Sequence, residues 1–221
     1  MLANELINDI ILPLRTSDKG SNALNWMEEL RVTHLPIVNN EAFLGLVSEK
    51  DIYDMNDFEE PLGNYQLSLS RPYVLYNQHL FDVVRVVCTM KLSLIPVLDF
   101  NEDYLGCITQ SRLLEELVES GSLGQPGGII VLQMNVVDYS LHEIARLVES
   151  NDAKILSCCT RTFAESTKID VSLKLNKIDV SSVIQTFNRF EYQIIASFSD
   201  ENNYDDLLKE RYGALMNYLN I

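Results

Sequence analysis

The run Gly45-Leu46-Val47-Ser48-Glu49-Lys50-Asp51 sets a hydroxyl three residues ahead of a carboxylate, just after a short apolar stretch. Two roles use that spacing. A carboxylate accepts hydrogen bonds from both hydroxyls of a diol, and a helix N-terminus offers donors to an anion. Ser-x-x-Asp also makes a capping box, with Asp in the place usually held by Glu or Gln. A second run, Gly106-Cys107-Ile108-Thr109-Gln110-Ser111-Arg112, keeps the hydroxyl and replaces the carboxylate with a cation. Arg112 reads either as a phosphate contact or as an exposed helix-surface residue. The two places are therefore expected to differ.

Little else in the chain suggests chemistry. His34, His79 and His142 and Cys88, Cys107, Cys158 and Cys159 show no metal spacing, and Cys158 and Cys159 would face opposite sides of a strand. Reduced, mostly buried thiols are the expectation. No Ser/His/Asp or Cys/His arrangement stands out. Gly121 to Gly128 lacks the Lys-Ser/Thr of a phosphate loop and leads into a strand, so it reads as a hinge. Asp54 to Glu60 lacks the full calcium-loop pattern and reads as a solvated connector.

The elements that position both runs come from a repeat. At an offset of 60, Leu14, Ala23, Leu24, Met27, Leu30, Val32, Leu35, Pro36 and Ile37 fall over Val74, Val83, Val84, Val87, Met90, Leu92, Ile95, Pro96 and Val97. At an offset of 61, Leu44 to Ser48 fall over Leu105 to Thr109, and Ile52 over Leu113. Each copy reads as a strand (Leu12 to Arg15; Tyr73 to Tyr76), then an amphipathic helix ending near Arg31 or Lys91. A hairpin follows, with strands at Leu35 to Val38 and Phe43 to Val47 in the first copy, and Tyr104 to Ile108 as its outgoing strand in the second. A closing helix ends each copy (Glu49 to Met55; Gln110 to Ser120). Pro36 and Pro96 sit at strand entries, where a missing donor is tolerated. Two copies make a pseudo-symmetric pair, not a solenoid.

This tandem unit, with an apolar residue plus Pro opening one strand and Gly-h-h-Ser/Thr-x-x-Asp closing another, resembles a cystathionine-beta-synthase (CBS) domain pair. The resemblance covers residues 1–122, with repeats at about 1–56 and 72–120. It implies a regulatory module without chemistry of its own, binding an adenosine-containing ligand such as AMP, ADP, ATP or S-adenosylmethionine. By the same resemblance Ser48 contacts the ribose or α-phosphate and Asp51 accepts both ribose hydroxyls, while Thr16 and Leu35 give backbone contacts to the adenine. Tyr76, Ile95, Thr109 and Arg112 are the counterparts in a second, weaker cleft. No catalytic cofactor or metal is implied.

After a hinge at 123–128, residues 129–221 change rhythm. Strand Ile129 to Asn135, helix Leu141 to Ser150, strands Lys154 to Arg161 and Lys168 to Leu175, helix Val180 to Phe190 and strand Tyr192 to Phe198 give the order βαββαβ, the ferredoxin-like plan. This part is similar to the ACT regulatory domain, an amino-acid-sensing module. Val137-Asp138-Tyr139-Ser140 stands where that family usually has a glycine turn, which puts amino-acid binding in doubt. An amphipathic helix is expected over Asp205 to Ile221. The fold class is α+β, and the arrangement resembles acetoin-utilisation accessory proteins.

Composition narrows the partners. The 221 residues carry a net charge of −15. Residues 1–124 hold 8 Lys+Arg against 19 Asp+Glu, a net of −11, and residues 125–221 hold 9 against 13, a net of −4. Acidity in both parts argues against nucleic acid and anionic membrane surfaces, and it opposes polyphosphates without Mg²⁺ or a local Arg. The first residues show neither a basic segment nor an apolar run, and no stretch is long enough to cross a bilayer. A cytoplasmic homodimer acting on a client protein is the expectation. A ligand-free dimerisation scaffold and amino-acid sensing through the second domain are the alternatives, with a thiol enzyme a distant third.

Overall fold

The computed structural model describes residues 1–8, 10–55, 57–65 and 71–199, so the helix expected over Asp205 to Ile221 lies outside the described residues. The chain divides into two compact units, Met1–Glu116 and Leu117–Ile221. Among the described residues no helix is long and apolar enough to cross a membrane.

Unit 1 holds both repeats. In the first, α1 (Gly20–Leu30) leads to β1 (His34–Asn39), which turns into β2 (Ala42–Ser48) and α2 (Glu49–Tyr53). The second runs β3 (Val74–Leu75), α3 (Leu80–Met90), β4 (Leu94–Leu98), β5 (Tyr104–Thr109), and then α4 (Gln110–Ser120), which carries the chain past the division between units. The helical spacing of apolar residues buries Ala23 and Met27 on α1 and Val83 and Val87 on α3. Both helices end on a left-handed residue, Arg31 (φ 55°) and Lys91 (φ 53°). That conformation costs a non-glycine residue about 1–2 kcal/mol. A cation beside the free helix carbonyls offsets part of the cost.

The strand expected at Leu12 to Arg15 contracts to one parallel bridge. Leu14 N–H donates to Pro36 O and Val38 N–H to Leu14 O, each at 2.8 Å. Pro13 has no N–H with which to lengthen the ladder. In the second repeat the same pairing survives as Val74 and Leu75 against Val97 and Leu98.

The repeats exchange their leading segments, which the sequence did not suggest. A short 3-10 turn at Ala3–Leu6 precedes the first repeat but packs on the second: Ala3 N–H donates to Gln78 O (2.9 Å), Asn4 N–H to Tyr76 O (3.0 Å) and Asn8 N–H to Cys107 O (2.9 Å). Residues 61–64 precede the second repeat but pack on the first, through Leu62 N–H to Asp18 O and Gly63 N–H to Thr16 O, each at 2.8 Å. Ala3, Leu6 and Leu62 are buried by this crossing. Gly106 makes it possible in one place. Its φ is +151°, and a Cβ there would lie 2.5 Å from Ile7 Cγ2.

Where repeat-equivalent residues touch, the pseudo-twofold axis must pass between them. One such place joins Thr33 to Ser93, Thr33 N–H donating to Ser93 Oγ at 3.0 Å. Another stacks Phe43 on Tyr104, with ring centroids 6.4 Å apart. The Tyr104 hydroxyl, beside the Cys107 thiol, is buried without a hydrogen-bond partner among the described residues. Burial pushes both groups up, the thiol to about 11. Phe43 shows that a plain ring suits this environment. Tyr104→Phe is expected to raise stability by about 1 kcal/mol in denaturant melts, because an orphaned buried hydroxyl costs more than it returns.

Unit 2 is a four-stranded antiparallel sheet, β6 (Ile129–Asn135), β7 (Ile155–Thr162), β8 (Lys168–Leu175) and β9 (Gln193–Phe198), in the spatial order β7-β8-β6-β9. With α5 (Leu141–Glu149) and α6 (Ser181–Arg189) between strands this is the ferredoxin-like βαββαβ topology. Alternation on β8 buries Ile169, Val171, Leu173 and Leu175 against Ile144, Leu147, Val183 and Phe187 from the helices. Cys158 packs against this core while Cys159 is exposed, as opposite strand faces require. The expectation of mostly buried thiols needs correction. Cys107 alone is buried; Cys88 and Cys159 are exposed, and Cys88 lies one helical step round α3 from buried Val87.

Candidate functional site

Ser48 is the N-cap of α2 and closes the capping box in full. Its N–H and its hydroxyl donate to Asp51 Oδ2 at 2.8 and 2.6 Å, and Asp51 N–H donates back to Ser48 Oγ at 3.1 Å. Glu49 N–H donates to Thr33 O (3.0 Å), which ties the start of α2 to the residue before β1. Ser48 is opposite His34 across the hairpin, and Leu35, fully buried, is opposite Val47. Leu35, Ser48 and Asp51 thus share one end of the first repeat.

Thr16 does not join them. Its hydroxyl donates to Asn39 Oδ1 (3.3 Å), Asn39 Nδ2 donates to its Oγ1 (3.0 Å), and its carbonyl accepts from Gly63. His34 and Asn39 are the two ends of β1, roughly 16 Å apart at strand rise. The second repeat divides in the same way. Thr109 is opposite Leu94, while Tyr76 N–H donates to Leu98 O at 3.0 Å, about 13 Å further along β4. Ile95 is fully buried opposite Ile108. The four residues expected together in each cleft therefore separate into two ends, because the first strand runs parallel to β1 and β4 and carries Thr16 and Tyr76 away from the capping helices.

Thr109 caps α4, its Oγ1 accepting Arg112 N–H at 3.2 Å and contacting Ser111 Oγ at 3.0 Å. Arg112 is committed inward. Its Nη2 lies 3.3 Å from Glu116 Oε2 and its Nη1 3.6 Å from Glu115, and the Glu116 side chain is 3% exposed. An arginine neutralising a buried carboxylate one turn along is poorly placed to bind a phosphate. The reading of Arg112 as an exposed surface cation fails for the same reason.

What replaces Thr16 near Ser48 and Asp51 is a polar cluster on the pseudo-axis. His34 Nδ1 lies 3.0 Å from Thr33 Oγ1 and 3.1 Å from Ser93 Oγ, and Ser93 N–H donates to it at 3.4 Å. A backbone N–H can only donate, so Nδ1 accepts and the ring proton sits on Nε2. Burial lowers the His34 pKa below its ordinary 6.5, with Asp51 opposing the shift. The signal was present in the sequence, because the offset of 60 sets Thr33 over Ser93 and His34 over Leu94. Serine, histidine and aspartate thus come close together. Ser93 Oγ also accepts Thr33 N–H and meets the same ring nitrogen as its own backbone N–H, an arrangement that joins the two repeats.

The lowered pKa carries a sign. Folded His34 binds fewer protons than unfolded His34, so unit 1 should lose stability as pH falls through 6.5 toward the folded value. Melts at successive pH values should show this loss in the parent and a flatter profile in His34→Asn, whose amide oxygen can still accept. Equal pH slopes in both proteins would mean that His34 does not titrate in this way.

Among the described residues no group of His, Cys, Asp and Glu could hold a metal ion. In unit 2, Asn135, Asp138, Lys168 and Tyr192 line a cavity of about 440 Å3 at the β6–α5 turn.

No protein-family model matches the chain. Among solved structures, the fold is similar to a CBS domain pair/ACT domain protein from Thermotoga maritima (18% identity, TM-score 0.48, 54% of this chain and 98% of that one). It is also similar to a protein described as an acetoin utilization protein from Vibrio cholerae (22% identity, TM-score 0.49, 56% and 95%). A third is CBSX2 of Arabidopsis thaliana, in complex with AMP (20% identity, TM-score 0.46, 53% and 96%).

Proposed function

We propose that the tandem repeat is a non-catalytic sensor whose ligand, an adenosine-containing molecule, binds where α2 begins, beside the pseudo-axis. The protein acts as a homodimer in the cytoplasm, and occupancy of unit 1 alters how unit 2 associates with a client protein. One observation carries this reading: Ser48, Asp51, His34 and Ser93 converge from both repeats on the N-terminus of α2. Ser48 N–H and its hydroxyl both donate to Asp51 Oδ2, which fixes the carboxylate at this place. Asp51 and Ser48 are the residues assigned to the ribose, with Leu35 at the same end of the sheet. The net charge of −15 favours a lightly charged ligand over a free triphosphate.

AMP is the first ligand to test. Asp51→Ala should weaken AMP binding in calorimetry by about ten- to a hundredfold, the size of a lost charge-assisted hydrogen bond. Loss of the cap alone should cost the apo protein no more than about 1 kcal/mol. If the variant binds AMP as the parent does yet melts earlier, Asp51 is a helix cap and the ribose assignment fails. The scaffold reading has its own support, since Ser48 and Asp51 satisfy one another and Arg112 is held by Glu116. Amino-acid sensing would place its ligand in the unit 2 cavity beside Asn135 and Asp138.

A further inference from the structure

The end of the first repeat that lost its place in the nucleotide site has an opening of its own. A groove of about 690 Å3 lies between the Leu12–Arg15 segment, Trp26 of α1 and the Val38–Asn40 turn. That volume falls within the range of small-molecule sites. The second repeat serves as an internal control. At the offset of 60, Thr16 becomes Tyr76, Asn40 becomes Phe100, Arg15 becomes Leu75 and Trp26 becomes Val86. Tyr76 and Phe100 pack edge to face there, centroids 5.1 Å apart. One repeat fills this place with its own pair of rings. The other leaves it open and adds an indole and a guanidinium.

We propose that the Arg15–Trp26 groove binds an aromatic acid carrying one negative charge, its ring against Trp26 and its carboxylate on Arg15. Trp26 offers a flat apolar face, and Leu12, 64% exposed, and Val38 extend the apolar wall. Arg15 is exposed and forms no ion pair among the described residues. Its planar fork matches a carboxylate. Asp18 lines the same groove, its carboxylate anchored by Arg15 N–H at 2.7 Å. A second negative charge on the ligand would meet it, which limits the ligand to a monoanion. Asn39 is fixed by its bonds to Thr16, so the polar edge of the groove is preformed.

Trp26 is the only tryptophan, so one indole N–H resonance reports this groove in the ¹H–¹⁵N spectrum of the whole protein. Phenylacetate is the probe, with benzyl alcohol and phenethylammonium as its neutral and cationic counterparts. Phenylacetate should shift that resonance saturably, with a Kd in the low-millimolar range expected of so small a ligand. The two counterparts, and phenylacetate on Arg15→Gln, should bind about tenfold more weakly or worse. Because the Arg15 side chain is exposed, the variant keeps its fold. No saturable shift, equal binding of benzyl alcohol, or an unchanged Kd in Arg15→Gln would each overturn the proposal.

Discussion

Arg112→Ala is expected to destabilise unit 1 by about 3 kcal/mol, far beyond the effect of trimming a surface arginine. Removing one partner of a buried ion pair leaves an uncompensated charge in the interior, at a cost of about 3–5 kcal/mol. Glu116, with its side chain 3% exposed, is the charge that would be stranded; Arg112 itself is 32% exposed, so water moderates the loss and places it at the lower end. The pair with Glu115, which is 65% exposed, adds little. Denaturant melts of the single variant and of Arg112→Ala with Glu116→Leu decide the matter. The double variant should recover most of the loss, because an apolar side chain replaces the stranded carboxylate. A single variant within about 0.5 kcal/mol of the parent, the range of ordinary surface changes, would show that Glu116 does not depend on Arg112.

Gly127→Ala should be comparably severe and confined to unit 2. A Cβ at Gly127 would lie 1.9 Å from Leu175 O, a backbone atom that cannot step aside, and φ there is +156°. The surrounding bonds fix the approach: Leu175 N–H donates to Gly128 O at 2.9 Å, Gly128 N–H to Lys177 O at 2.7 Å, and Lys174 Nζ to Gly127 O at 2.9 Å. Relieving the overlap requires giving up part of this ladder in addition to the backbone strain, together about 3 kcal/mol or more. Gly124→Ala is the control three residues earlier, where a Cβ would meet only Val118 Cγ1 at 3.7 Å. Hydrogen exchange should show faster opening of β6 and β8 in Gly127→Ala, with β1 and β4 unchanged. Equal protection in both glycine variants would contradict the close approach.

These glycines also mark a limit of the sequence. Spaced glycines before a strand read as a hinge over 123–128, yet Gly127 and Gly128 are bonded into the end of the unit 2 sheet. A glycine needed for close approach and one needed for mobility look alike until the neighbouring backbone is known. The regular elements were legible because their apolar residues recur with the period of a helix or a strand: β6, β8 and α4 have the bounds that alternation and helical spacing imply. The exchange of segments 1–8 and 61–64 was not. It rests on backbone hydrogen bonds and a few apolar contacts that leave no periodic trace. For the site, Ser48 and Asp51 are visible from their spacing, whereas strand direction, which no local motif reveals, carries Thr16 to the Asn39 end of β1. The meeting of His34 and Ser93 depends on the pseudo-axis, not on either local motif.

The crossing of the leading segments bears on how such a chain could arise. A single repeat with this architecture would have to lend its first residues to another copy, so it would close only as a symmetric pair formed in a concentration-dependent step. Joining two copies in one chain makes the same closure intramolecular, at an effective concentration set by the short connector. It also removes a constraint on heredity. Two identical chains must carry every substitution twice, once at each related position; two fused copies need not. Asp51 facing Arg112 in the alignment of the repeats, His34 facing Leu94 and Asn40 facing Phe100 are departures closed to a pair of identical chains and open to two fused copies.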